Sequence, residues 1–212
     1  MKPKLNNNDT SRDLMWTPPY ATEALCDFLA KEVGGHVFEG QVWEPACGEM
    51  FMVDELRDYF TNVMFSDLNK GIDFLGEFTE FQRAWIDQTD CIITNPPYTA
   101  KLKYGFIERC VELDKPFALL MPTETISSSK AQALFDRVGG VTMLHFDTRV
   151  DFKQQGKTWS ESQAQFPTAW FISWNGLAAD KNYFVSIKEA KKKFKSEMKA
   201  IEAPNEVGVA SC

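Results

Sequence analysis

Residues 91–98 read CIITNPPY, an apolar run that ends in two consecutive prolines. The first four residues are apolar or β-branched, which is typical of a short buried strand. Neither proline can donate to a strand ladder, and a proline also biases the residue before it away from helical geometry. The sequence therefore predicts a buried strand that leaves its sheet at Asn95. The stiff turn that follows carries an amide side chain and the aromatic ring of Tyr98.

Strand and helix patterns alternate on both sides of this turn. Strands are predicted at residues 41–46, 63–67, 90–94, 116–121, 141–149 and 168–174, and helices at residues 20–33, 51–59, 78–86, 102–113 and 128–138. Such alternation indicates an α/β protein with a mostly parallel sheet covered by helices on both faces. No helical pattern separates the last two strands, so we expect them to pair antiparallel.

The composition is typical of a soluble globular domain. The chain has 212 residues, of which 44% are hydrophobic and 25% charged. No apolar run approaches the ~20 residues of a membrane span, and the first residues lack the apolar segment of a signal peptide. Five cysteines without a C-x-x-C pair favour reduced thiols, so we expect a cytoplasmic protein. His36 and His145 stand alone, which predicts no metal site.

The charge is unevenly distributed along the chain. The net charge is −7, but residues 181–212 contain seven lysines and four acidic residues, which leaves −10 on residues 1–180. Phosphate binding needs only a local basic patch, and KEAKKKFK at 188–195 is either such a patch or a solvated helix face. The predicted organisation is a disordered N-terminus at 1–11, one domain at 12–180, a basic helix at 181–202 and a disordered tail at 203–212, without a separate target-recognition domain.

The residues that follow the predicted strands indicate a ligand site, because ligands of such sheets bind outside the carboxyl ends of the strands. In EPACGEM, residues 44–50, Gly48 lets backbone N–H groups face a ligand at the next helix N-terminus. Asp67 ends the second strand nineteen residues later, at the spacing of a residue that binds ribose hydroxyls. With GIDFL at 71–75 and the NPPY turn, these features predict a nucleoside-binding crevice beside an amide-and-aromatic clamp.

Five motifs together resemble those of S-adenosylmethionine-dependent amino-methyltransferases: TPP at 17–19, EPACG at 44–48, SDL at 66–68, DFL at 73–75 and NPPY at 95–98. Their order is similar to the gamma arrangement of N6-adenine DNA methyltransferases, in particular small phage-encoded and prophage-encoded ones. The resemblance covers about residues 12–175. It implies the class I methyltransferase fold, a seven-stranded, mostly parallel sheet with an antiparallel strand near one edge, and S-adenosylmethionine as the cofactor.

The resemblance also implies a role for each matched residue of the cofactor site. Thr17 would touch the methionine carboxylate, and the loop that starts at Glu44 would hold the methionine and ribose. Asp67 would bind the ribose hydroxyls, and Asp73 would accept from the adenine amine of the cofactor. The full set of implied cofactor-binding residues is Thr17, Glu44, Pro45, Ala46, Cys47, Gly48, Asp67, Leu68, Asp73 and Phe74, with Phe74 packed on the adenine ring.

The NPPY turn has a chemical purpose in this reading. The exocyclic amine of adenine is a poor nucleophile, because its lone pair is delocalised into the ring. The side-chain oxygen of Asn95 and the carbonyl of Pro96 would accept its two hydrogens and aim the nitrogen at the methyl group. Pro97 would help to keep these acceptors rigid, and Tyr98 would stack on a target base that has left its duplex. A second aromatic is expected on the other face of the base, with Phe152 as first candidate and Phe166 as reserve; a plain core role is an equal alternative for both.

Three features depart from the family pattern. Met50 replaces a glycine of the cofactor loop and would crowd the cofactor. Only the loop at 153–166 and the tail could read the target sequence, which predicts low specificity or reading by a homodimer. No strand pattern follows GIDFL, so one edge of the sheet should be reduced.

The expected acceptor is adenine in DNA, with the phosphates contacted by Lys101, Lys103, Lys153 and Lys157. RNA adenine methylation remains an alternative, as does a non-catalytic nucleic-acid-binding protein whose cofactor loop is blocked by Met50. Methylation of release-factor glutamine is disfavoured, because the D-x-G-x-G loop and the N-terminal helical domain of those enzymes are not seen. Cytosine C5 methylation lacks its Pro-Cys nucleophile in this sequence.

Overall fold

The computed structural model describes residues 14–202, and the segments predicted to be disordered at 1–11 and 203–212 lie outside this range. The main sheet has seven strands, β2 (Gln41–Glu44), β3 (Asn62–Phe65), β4 (Cys91–Thr94), β5 (Phe117–Pro122), β6 (Thr142–Phe146), β8 (Thr168–Ser173) and β9 (Asn182–Val185). They lie in the order β3-β2-β4-β5-β8-β6-β9. Two further strands, β1 (Met15–Trp16) and β7 (Lys153–Gln154), pair with each other.

Six α-helices cover both faces of the sheet. They are α1 (Pro19–Glu32), α2 (Phe51–Arg57), α3 (Glu80–Asp87), α4 (Ala100–Leu113), α5 (Ser129–Asp136) and α6 (Lys188–Glu202). Helices α1, α2 and α6 pack on one face and α3, α4 and α5 on the other, which gives two hydrophobic clusters. Because successive side chains of a strand point to opposite faces, Ile93 joins the first cluster and Ile92 the second. None of the helices in residues 14–202 is long and apolar enough to cross a bilayer.

The strand directions confirm the predicted architecture. Strands β3, β2, β4 and β5 are parallel, and β8 runs antiparallel to both of its neighbours. All four residues of β4 are buried at the centre of the sheet, as the apolar run before NPPY predicts. The antiparallel pairing of β6 and β8 is also confirmed, with Leu144 opposite Trp170.

The two edges of the sheet differ from a simple reading of the sequence. Strand β3 is one edge, and the chain continues from it into a 3-10 turn at Leu68–Lys70 and then α3, so this edge is reduced as predicted. At the other edge, β9 adds a strand parallel to β6. The domain therefore extends past the predicted boundary at residue 180, and the predicted helix at 181–202 begins only at Lys188.

The beginning of the described chain is fastened to a distant segment. Trp16 pairs with Lys153 across the β1–β7 ladder. Two residues before Lys153, the backbone N–H of Asp151 donates to the hydroxyl of Tyr20 at 3.0 Å. The indole of Trp170 donates to the carbonyl of Ala21 at 2.9 Å. These contacts place the TPP motif beside the carboxyl ends of β2 and β4.

Candidate active site

A small pocket opens to solvent beside the carboxyl ends of β2 and β4. Its walls combine residues from three separate motifs, namely Met15, Trp16, Thr17, Glu44, Ala46, Cys47, Phe51, Met52 and Asn95. Five of these were predicted for the site from sequence: Thr17, Glu44, Ala46, Cys47 and Asn95. Segments that are up to eighty residues apart in the chain therefore meet at one place.

Glu44 contributes an almost fully buried carboxyl group to this pocket. Its Oε1 accepts hydrogen bonds from the backbone N–H of Ala46 and from the hydroxyl of Thr94. Burial raises the pKa of Glu44 to about 8, because desolvation of the charged form outweighs these two bonds, and the nearby charge of Asp67 raises it further. A cationic group that entered the pocket would stabilise the ionised carboxylate.

Gly48 occupies a position of the cofactor loop that requires glycine. Its φ is +47°, and a Cβ atom there would lie 2.7 Å from Nε1 of Trp16. The backbone N–H of Gly48 donates to Oδ2 of Asp67 at 2.9 Å, while Oδ1 of Asp67 accepts from the backbone N–H of Asn69. Asp67, which is predicted to bind the ribose of the cofactor, thus holds the loop in shape through both of its carboxylate oxygens.

Sequence reasoning missed two residues at this loop. Trp16 packs its indole against Gly48. Lys70 places Nζ 2.6 Å from the carbonyl of Gly48 and 3.3 Å from Sγ of Cys47. Both depend on contacts between distant segments, and the only available signal was their position beside the TPP and SDL motifs.

Met50 takes the backbone conformation of a glycine. Its φ is +73°, in the left-handed region, and it stands immediately before α2. Its N–H donates to the carbonyl of Cys47 at 2.7 Å, and its carbonyl accepts from Asp54. The Met50 side chain does not line the pocket, and the crowding of the cofactor stays a prediction. The left-handed backbone at Met50, a residue with a Cβ atom, carries conformational strain.

Two buried polar atoms at the pocket lack hydrogen-bond partners among residues 14–202. They are Oγ1 of Thr17 and Oδ1 of Asn95. The amide nitrogen of Asn95 is occupied, because Nδ2 donates to the carbonyl of Met15 at 3.2 Å. Leaving such groups unpaired costs about 1–3 kcal/mol each, so a ligand that donates to Asn95 Oδ1 and hydrogen-bonds Thr17 would recover this energy.

The aromatic residues around Tyr98 are arranged differently from the prediction. Phe152, the first candidate for base stacking, is 1% exposed and belongs to the hydrophobic core, so it presents no ring face to a ligand. The half-buried ring of Phe166 lies closer, with centroids 5.3 Å apart against 6.2 Å for Phe152. The reserve candidate is therefore the better placed of the two.

The predicted adenine-binding residues also divide into buried and exposed members. Phe74 packs edge-on against Trp43 and is buried, so its ring supports the core instead of facing a ligand. Asp73 is exposed, and its Oδ1 accepts from the backbone N–H of Leu75 at 2.9 Å. Leu68 is 52% exposed directly after Asp67. Pro45, Gly48, Asp67, Leu68, Asp73 and Phe74 lie outside the lining of the pocket.

Two of the four predicted phosphate-binding lysines are largely covered by other side chains. Nζ of Lys153 is 3.1 Å from Glu49 and within 6 Å of the ring centroids of Phe51, Trp16 and Trp159. Lys103 is only 8% exposed. Aromatic faces attract cations, and long aliphatic stems bury readily, which explains both positions. Lys101 and Lys157 are exposed, as predicted.

The basic C-terminal helix is partly anchored to the domain and partly solvated. Lys191 and Lys195 place Nζ 3.0 and 2.8 Å from Oδ2 of the buried Asp151, so they anchor α6 to the domain. At the far end of α6, the carboxylate of Glu202 accepts from the backbone N–H groups of Trp159 and Ser160. The remaining lysines of the helix, Lys188, Lys192, Lys193 and Lys199, are exposed.

The fold is shared with solved methyltransferases, although no family model and no curated protein matches the sequence. A Listeria monocytogenes protein described as a class I S-adenosylmethionine-dependent methyltransferase aligns with a TM-score of 0.54 and 10% identity over 93% of this chain and 73% of its own. The methyltransferase subunit of a type I restriction-modification system from Streptococcus thermophilus gives 0.51 and 11% over 88% and 53%. DrdV, solved in complex with DNA, gives 0.57 and 14% over 90% and 30%.

These similarities define the class of fold. The chain has the class I methyltransferase fold, with its mostly parallel seven-stranded sheet. It spans about half of the Streptococcus subunit and less than a third of DrdV.

Proposed function

We propose that this protein transfers a methyl group from S-adenosylmethionine to the N6 amine of adenine in DNA. The observation that carries the proposal is the buried, unpartnered Oδ1 of Asn95 at the rim of the pocket. An acceptor held without a partner at the end of a central strand suits a substrate that brings N–H donors.

The pocket residues fit the methionine end of the cofactor. Glu44 would bind the ammonium group, which explains why a carboxyl is buried there without a cation among residues 14–202. The unpartnered hydroxyl of Thr17 would donate to the carboxylate. Asp67 and Asp73 remain the proposed ligands of ribose and adenine. When bound, the cofactor supplies an electrophilic methyl group on a sulfonium.

The NPPY turn positions the nucleophile. The two hydrogens of the adenine amine would be accepted by Oδ1 of Asn95 and the carbonyl of Pro96, which concentrates the lone pair on nitrogen. The bond from Asn95 Nδ2 to Met15 fixes the amide so that its oxygen faces the substrate. Tyr98 would stack on the flipped base, and Phe166 would support the Tyr98 ring through their edge-to-face contact. Catalysis of this kind depends on positioning and preorganised acceptors.

DNA is the favoured acceptor for two reasons. The motif order resembles that of DNA adenine methyltransferases, and the fold resembles that of DrdV, which was solved on DNA. Low sequence preference follows from the loop at 153–166. The loop is short, the Lys153 side chain is occupied by Glu49, and the exposed glutamines Gln155, Gln163 and Gln165 would reach only a few base edges.

The test is methyl transfer from labelled cofactor to DNA, RNA and protein side by side, followed by nucleoside analysis. We expect N6-methyladenine in DNA at many sequence contexts and none with Asn95→Ala. Modification of RNA alone would overturn the substrate, and a product confined to one long motif would overturn low specificity. Nucleic-acid binding without transfer to any acceptor, and without a cofactor-induced rise in melting temperature, would identify the non-catalytic alternative whose cofactor loop is blocked by Met50.

A further inference from the structure

Two lysines lie at the N-terminal turns of neighbouring helices beside the NPPY turn. Lys103 is in the first turn of α4, which begins two residues after Tyr98, and Lys130 is in the first turn of α5. Neither first turn contains an acidic residue. Positive side chains are unfavourable at helix N-termini, because the helix dipole already places partial positive charge there. The arrangement therefore lowers stability unless an anion binds.

The two lysines converge on one aromatic ring. Nζ of Lys103 is 5.4 Å and Nζ of Lys130 is 5.2 Å from the ring centroid of Tyr104. The Tyr104 hydroxyl donates to Oγ of Ser128 at 2.8 Å, and this same oxygen caps α5. Tyr104 thus holds the two helix ends and their ammonium groups together.

Lys103 lacks a compensating negative charge. It is 8% exposed, yet within residues 14–202 no carboxylate lies within 4.0 Å of its ammonium or that of Lys130. The covered part of Lys103 is its aliphatic stem, because Nζ is not among the fully buried, unpartnered polar atoms of residues 14–202, so an anion can reach the ammonium group. The chain is acidic overall, so carboxylates were available, and their absence here favours an external anion.

The site is continuous with the place where the target base would stack. Tyr98 contacts Phe166, and the carbonyl of the next residue, Pro167, accepts from the backbone N–H of Thr123 at 3.1 Å. Thr123 opens the 3-10 turn that leads directly into α5. Short chain connections thus link Lys103 and Lys130 to Tyr98, which suits an anion next to the nucleotide at the Tyr98 site.

We propose that Lys103, Lys130 and the N-terminal turns of α4 and α5 bind a backbone phosphodiester of the nucleic acid, next to the target nucleotide. This inference rests on the proposed function, because it names a contact of the same substrate. It gives the acidic chain a local phosphate site independent of α6, and it predicts binding that does not depend on the flanking sequence.

The experiment measures the salt dependence of binding to a short fluorescent single-stranded DNA by anisotropy. Lys130 is exposed, so Lys130→Ala should fold normally, and Lys103→Met keeps the aliphatic stem. We expect each variant to lower the slope of log affinity against log salt by about 0.7, with about five-fold weaker binding at about 0.1 M salt. Lys103→Met should also raise the melting temperature, because it removes a positive charge from a helix N-terminus whose first turn contains no acidic residue. Lys103→Arg and Lys130→Arg should retain the wild-type slope.

Lys31→Ala is the matched control, since it removes the same charge from an exposed position near the end of α1. An unchanged slope in both site variants, or an equal loss in the control, would overturn the phosphate site while leaving methyl transfer by the wild type intact. If the wild type neither binds nor methylates nucleic acid, the proposed function fails, and this inference fails with it.

Discussion

Single residues in the pocket and beside it are held in unfavourable states. Asn95 keeps an unpaired acceptor, Glu44 has a buried carboxyl with a raised pKa, and Met50 has left-handed backbone. Each state costs free energy of folding, and such costs concentrate at functional sites. The three residues therefore make separate, measurable predictions.

Replacement of Asn95 by alanine should abolish methyl transfer without loss of stability. The variant removes an unsatisfied buried oxygen and one hydrogen bond to Met15, so the two effects on folding oppose each other. Cofactor affinity, measured by calorimetric titration, should stay within a few-fold of wild type. Transfer at near wild-type rate would refute the role of the amide oxygen.

Replacement of Met50 by glycine should stabilise the fold. Left-handed backbone costs a residue with a Cβ roughly 1–2 kcal/mol, and the greater freedom of glycine in the unfolded chain returns part of this. We expect the free energy of unfolding in urea to rise by about 1 kcal/mol. Phe51→Gly, one residue later and inside α2, is the opposite control and should destabilise. A loss of stability in Met50→Gly would mean that packing of the Met50 side chain stabilises the fold by more than the backbone strain destabilises it.

The pH dependence of stability should report on Glu44. Its pKa is raised to about 8 in the folded protein, whereas the unfolded chain has the ordinary value near 4.5. Between these two values the folded protein keeps a proton that the unfolded chain has lost, so the free energy of unfolding falls as pH rises through this window. Comparison of urea unfolding of wild type and Glu44→Gln should show a steeper fall in the wild type. Glu55→Gln is a second variant for comparison, because burial also raises the pKa of Glu55, to about 7. Equal slopes in wild type and Glu44→Gln would show that Glu44 is ionised in the free protein.

At the scale of elements, the segment after β7 forms part of the wall around the cofactor loop. Lys153 connects β7 to the loop through Glu49, and its ammonium group lies among the rings of Trp16, Phe51 and Trp159. Phe51 and Trp159 also contact each other edge-on, and Trp159 contacts Phe194 of α6. The loop at 153–166 is thereby tied to the pocket and to the C-terminal helix.

Lys153 and Lys157 should behave differently although both were predicted to bind phosphate. Lys153→Met should lower the free energy of unfolding by about 1 kcal/mol, because it loses the cation–π contacts and the ion pair. It should leave the salt dependence of DNA binding unchanged. Lys157→Met should leave the free energy of unfolding unchanged and should lower the salt dependence of DNA binding, since that side chain is exposed. Thermal melts and anisotropy measured on both variants decide, and a reduced salt slope in Lys153→Met would contradict a purely structural role.

At the scale of the whole molecule, the sequence predicted the order and packing of the strands and helices better than it predicted which side chains are exposed. The alternating pattern yields the layers, the antiparallel strand and the reduced edge, because hydrophobic periodicity is a local property. Strand β9 was missed since its four residues lie beside a lysine-rich helix and only half of them turn inward. The positions of Trp16, Lys103, Lys153 and Phe152 depend on which distant segments meet. The sequence around a lysine or a phenylalanine is the same whether its side chain faces solvent, the core or a ligand.

The pairing of β1 with β7 determines when the protein becomes competent during synthesis. Trp16 and Thr17 are made early, but the strand that holds this segment against the pocket is translated only after residue 152. The anchor of β7, helix α6, follows later still. When β4 and β5 have been translated, all five motifs of the site have been made, but β7, which holds Trp16 and Thr17 against the pocket, has not. Closing so large a loop costs entropy that is offset only by the final contacts, so cofactor binding should begin only when the C-terminal helix has left the ribosomal tunnel.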